Sequence, residues 1–96
     1  MLIKAGVDIS RLNRQIRRAM NKVSGIYENR GDELVITSTF EGNHSAGSLH
    51  YSNDAFDCRY PKDLGVKVVD RIKANLVGDY DVVAERDHVH VEYDPK

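Results

Sequence analysis

At 96 residues, with 41% hydrophobic and 30% charged side chains and two prolines, the chain reads as one folded domain with a modest core. That excludes separate lobes, disorder and a fibre. Lys and Arg number 14 against 15 Asp and Glu, a formal net charge of -1, so no global field draws nucleic acid or an anionic membrane, and neither is an expected partner. The apolar runs are short and the first residues lack the long hydrophobic region of a secretory signal, so cytoplasmic synthesis is expected. Cys58 is the single cysteine, which rules out an internal disulfide.

The first long element is an amphipathic helix. Ile9, Leu12, Ile16, Met20, Val23 and Ile26 recur at steps of three and four after Asp8 and Ser10 as N-caps, and Gly25 to Gly31 mark the end. Arg11, Arg14, Arg18 and Lys22 form a basic stripe on it, read as a solvated face. Arg30-Gly31-Asp32 spells an integrin-binding tripeptide, but Gly-Asp between a helix and a β-rich run reads as a turn. Residues 34–40, β-branched and aromatic, form a strand, followed by a polar, glycine-containing loop over 41–48. Residues 55–59 form a second strand, set off from His50 by the turn formers Ser52-Asn53-Asp54. Pro61 opens a second helix on which Leu64, Val68, Ile72 and Leu76 repeat, with Gly78 at its end. Strands over 80–85 and 88–93 are joined tightly enough to make a hairpin. This order predicts an α+β domain, two helices packed on a small, largely antiparallel sheet.

The four histidines fall in two places: His44 and His50 around the first loop, His88 and His90 in the last strand. Side chains alternate along a strand, so His88, His90 and Glu92 share one face and Val89, Val91 and Tyr93 the other. His50 and Asp57 are seven apart, a spacing that puts them on opposite faces of an unbroken strand, so the turn over 52–54 must reset the parity. With that turn, an imidazole and a carboxylate reach one mouth of the sheet, a donor set suited to zinc. Three protein ligands leave a fourth position for water, as in catalytic rather than structural zinc sites. Cys58, alternating with Asp57, is expected in the core beside Phe56 and Tyr60, not as a ligand.

Ser48-Leu49-His50-Tyr51, then Ala55-Phe56-Asp57, then Asp87-His88-Val89-His90 resembles the two-part SxHxxxxAxD and HxH signature of the zinc-dependent D-alanyl-D-alanine peptidases. The same signature occurs in the hedgehog signalling domain, and the stretch from Gly42 to Tyr51 is especially similar to that version. The resemblance covers roughly residues 34–93. It implies a hedgehog- or peptidase-like fold with zinc on His50, Asp57 and His90, His88 either supporting the ligands from behind or stabilising the transition state, and His44 as a further active-site histidine. Asp87, three residues before His90, matches the general base of several bacterial members; Glu85, five before, matches the hedgehog spacing. Either reaches the site only if the chain turns or bulges near Arg86 and Asp87.

The chain departs from this pattern at Asn53 and Asp54, where the family carries Gly-Arg, and over residues 37–41, where many members carry an arginine for the substrate carbonyl or carboxylate. Arg59 and Arg30 are the candidate replacements. The expected activity is cleavage of peptide bonds in peptidoglycan stem peptides, of carboxypeptidase or endopeptidase type, as in phage or bacterial wall lysis, with the wall reached only on release from the cell. The alternative is a zinc-binding, non-hydrolytic interaction or structural domain in the hedgehog manner.

Overall fold

The computed structural model describes residues 1–41, 48–49 and 51–95. It is an α+β fold: β1 (Leu2–Ile3), α1 (Arg14–Glu28), β2 (Val35–Ser38), β3 (Ala55–Cys58), a 3-10 turn (Gly65–Lys67) leading into α2 (Val68–Asn75), β4 (Tyr80–Ala84) and β5 (Val89–Tyr93). The strands form one sheet in the order β1-β2-β3-β5-β4. Only β1–β2 is parallel; β2–β3, β3–β5 and β4–β5 run antiparallel. The sheet is therefore largely antiparallel, as the strand and hairpin signals predict.

Alternation sorts each strand into a core face and an outer face. Ile36, Phe56, Cys58, Val82, Val89 and Val91 join Ile16, Ala19, Met20, Val23 and Tyr27 of α1 and Val68, Val69 and Ile72 of α2 in one buried cluster. The buried positions of α1 are spaced three and four apart, so one stripe of the helix meets β3 and β5, while α2 lies against β4 and α1. Tyr27 seals the far end. Its ring is buried and its hydroxyl donates to the Arg59 carbonyl at 2.6 Å, with Cys58 Sγ 3.7 Å away. Cys58 is fully buried, and burial pushes its thiol up to about 12, so it stays protonated and hydrophobic in character.

Both helices are shorter than their apolar periodicity predicts. The first begins at Arg14 rather than after Ser10, although Ile9 and Leu12 do pack on the core. The Arg17 guanidinium donates to the carbonyls of Leu12 (2.9 Å), Ile9 (3.0 Å) and Ser10 (2.8 Å), holding this segment in a non-helical path that the helical stripe cannot anticipate. Arg11 consequently lies outside the helix, stacked over Phe40 at 4.6 Å. The second helix starts at Val68 and not at Pro61, because Gly65 has φ +53°, outside the α-helical range, and opens a 3-10 turn before α2. Strand β1 has two residues, too few to show a period, and is not evident from sequence.

Two clamps set the region before β3. The N-cap Asn13 donates through its N–H to the Asn53 carbonyl (3.0 Å) and through Nδ2 to Asp54 Oδ1 (2.7 Å). Asp54 N–H closes back on the Leu49 carbonyl at 3.0 Å, with Asn53 at φ 64°. This is the turn expected over residues 52–54. No described helix is long and apolar enough to cross a membrane.

Candidate metal centre

The helices cover one face of the sheet, and the other carries the charged side chains singled out by the motif. Asp57 on β3 lies directly opposite His90 on β5. Asp57 Oδ1 is 3.0 Å from His90 Nδ1, and Asp57 Oδ2 is 3.7 Å from His88 Nε2. His88 Nδ1 is 2.7 Å from Asp87 Oδ1, and His90 Nε2 is 2.6 Å from Glu92 Oε1. Carboxylate and imidazole thus alternate along one line, Asp87, His88, Asp57, His90, Glu92, with each ring held between two acids.

The parity requirement at the hairpin is met by a turn. Strand β4 ends at Ala84, β5 begins at Val89, and Glu85 N–H donates to the His88 carbonyl at 3.0 Å, so residues 85–88 form the loop. Asp87 is thereby freed from strand alternation and lines a cleft of about 240 Å³ together with His88, Asp57, Arg59, Thr37 and Lys4. Glu85 does not line it. Its carbonyl accepts the Tyr60 hydroxyl and its side chain is exposed. Arg30 is drawn elsewhere, paired with Asp63 at 3.1 Å, whereas Arg59 faces the cleft. His44 and His50 lie outside the described residues.

Electrostatics follow from this line of groups. Burial opposes protonation of His90, but its hydrogen bonds to Asp57 and Glu92 and their charges raise its pKa above the ordinary histidine value. Asp87 is held below the usual carboxylate range, first by its hydrogen bond with His88 and also by the charge of Arg86. Asp57 is only 7% exposed, a buried acid among basic partners.

Two ligands of a tetrahedral zinc with bonds of about 2.0–2.1 Å stand about 3.3 Å apart. Of the ligands the resemblance implies, Asp57 Oδ1 and His90 Nδ1 are 3.0 Å apart, close to that value, and His50 lies outside the described residues. His90, closer and less exposed (side chain 14% against 33% for His88), is the better placed inner ligand. A carboxylate and an imidazole are donors that zinc accepts, while the described residues whose donor atoms come within 4.8 Å of one another as a set of three are Asp81, Glu92 and Asp94.

Glu92, Lys4 and Thr37 have no site role in the sequence reading. Glu92 shares the face of His88 and His90 by alternation, which was a usable signal. Lys4 reaches the cleft only because the short β1 pairs with β2, for which there is no sequence signal. No family model matches the chain, and no curated protein matches it.

Proposed function

We propose that this chain is a zinc peptidase domain that hydrolyses peptide bonds in peptidoglycan stem peptides. The observation that carries the proposal is that Asp57 lies beside both His88 and His90, with Asp87 against His88 and Asp57, Asp87 and His88 lining one cleft, although β3 and β5 are far apart in sequence. Asp57, His90 and, on the motif, His50 would hold the ion. Zinc bound there supplies an activated water and a Lewis acid for the scissile carbonyl.

Asp87, kept ionised beside His88, is the base that takes the proton of the attacking water and delivers it to the leaving amine. His88, its ring held by Asp87, donates to the oxygen of the carbonyl as negative charge develops there. Arg59, on the cleft wall, takes the place of the family arginine in orienting the substrate carbonyl or carboxylate. His44 is a further active-site group on the motif alone. Wall lysis by a phage or bacterium fits this chemistry, with the protein made in the cytoplasm and acting after release.

One observation favours the second reading, a zinc-binding but non-hydrolytic domain: the Asp87 side chain is 86% exposed, and a base so open to solvent gains little from a water-excluded site. Zinc content of the purified protein, with cleavage of synthetic stem peptides followed by mass spectrometry, separates the readings. The peptidase reading expects zinc, cleavage, and an Asp87→Ala variant that retains zinc while its turnover falls about 100-fold or more. Zinc without cleavage of any stem peptide favours the binding domain. A wild-type protein that takes up no zinc removes both.

A further inference from the structure

On the zinc reading above, we infer that Glu92 is a positioning residue that fixes the His90 ring with Nδ1 toward the metal. Glu92 follows His90 by two residues on β5, so both side chains leave the outer face of the sheet. Its Oε1 stands 2.6 Å from Nε2 of His90, while Asp57 Oδ1 stands 3.0 Å from Nδ1. A ring gripped at both nitrogens cannot flip without breaking two charge-assisted hydrogen bonds. Were a cation held at Asp57, Nδ1 would be the nitrogen free to meet it and Nε2–H would stay donated to Glu92. That arrangement orients the ligand and raises its basicity.

The surroundings of Glu92 argue against a purely structural role. It pairs in register with Asp81 on β4, and carboxylate oxygens of Asp81, Glu92 and Asp94 lie within 4.8 Å of one another. Like charges directly opposite across strands destabilise a sheet. That repulsion offsets the hydrogen bond to His90, so removing Glu92 is expected to change metal-free stability little while metal affinity falls.

The test compares wild type, Glu92→Ala and Glu92→Gln for zinc affinity, by competition with a chromophoric chelator, and for urea unfolding without metal. Glu92→Ala is expected to bind zinc about 10–100-fold more weakly while its metal-free stability changes little. Glu92→Gln, which keeps an acceptor oxygen for Nε2–H, is expected to recover part of the affinity. Wild-type affinity in Glu92→Ala overturns the inference, as does a joint loss of affinity and metal-free stability that Gln does not relieve. If wild type itself binds no zinc, the zinc reading fails independently. The His90 Nε2–H resonance of the metal-free protein then decides: protected in wild type and lost in Glu92→Ala supports the positioning role, and equal exchange in the two overturns it.

Discussion

The Glu41 carboxylate accepts the Asp8 N–H at 2.5 Å and the Thr39 N–H at 2.9 Å, and it lies 2.8 Å from Thr39 Oγ1, which is equally close to the Asp8 carbonyl. It thus ties the N-terminal segment to the end of β2, beside the loop that leads toward the motif. Burial opposes its ionisation, but these hydrogen bonds outweigh burial and hold its pKa below the ordinary 4.5. Because the folded value is the lower one, the stabilisation is fully present above about pH 4.5 and is lost as pH falls through the folded value. Glu41→Gln is expected to cost about 1 kcal/mol at pH 7, a gap that narrows once pH falls through the folded value and the wild-type group takes up its proton. Urea unfolding at a series of pH values below 4.5 measures this, and a gap that never narrows would show that charge at Glu41 is irrelevant. At this scale the sequence was informative wherever chemistry is rare: Asp57, His88 and His90 could be singled out because few side chains bind metal. Glu41 and Lys4 could not, since their roles depend on neighbours from distant segments, whereas Glu92 was marked by its alternation with His90 on one strand face.

Among the elements, the two helices owe their limits to backbone features that side-chain periodicity does not record. Gly25 sits inside α1 with open space where a Cβ would stand, whereas Gly65 lies just before α2 with an equally open Cβ position but φ +53°. The same substitution should therefore act with opposite signs. Gly25→Ala is expected to stabilise by about 0.5–1 kcal/mol, by reducing the freedom of the unfolded chain and improving helix propensity. Gly65→Ala is expected to destabilise by about 1 kcal/mol or more, because its left-handed φ strains any side chain. Thermal melts of the two variants check this, and a shared sign would remove the backbone explanation for the late start of α2. The stripes Ile16, Met20, Val23 and Val68, Ile72 were legible because burial selects residue type at a fixed period. The helix starts were not. One depends on Arg17 reaching back to three carbonyls, the other on a single glycine conformation.

Across the whole molecule, the sheet separates a core from a charged working face, and that face is itself graded, with Lys4 and Arg59 on the β1–β3 side and Asp81, Glu92 and Asp94 toward β4. The α+β class was legible because helix and strand periods alternate clearly along the chain. The pairing of β3 with β5 was not, since no local signal specifies which strand enters between β2 and β4; the expectation that Asp57 and His90 meet came from the motif. On the proposed zinc reading, a cation shared by Asp57 and His90 would join these two strands and bind only when they are paired, so its binding energy would add to folding. At zinc about 100-fold above its dissociation constant, the gain is about 2.7 kcal/mol. For a chain of this length that corresponds to a rise of about 10–20 °C in Tm, reversed by a chelator. His90→Ala, which removes one of the pair, should melt at the same temperature with and without zinc. A wild-type midpoint that zinc leaves unmoved would mean that the line from Asp87 to Glu92 is a network of ion pairs alone, and the peptidase chemistry assigned to this face would have no metal to support it.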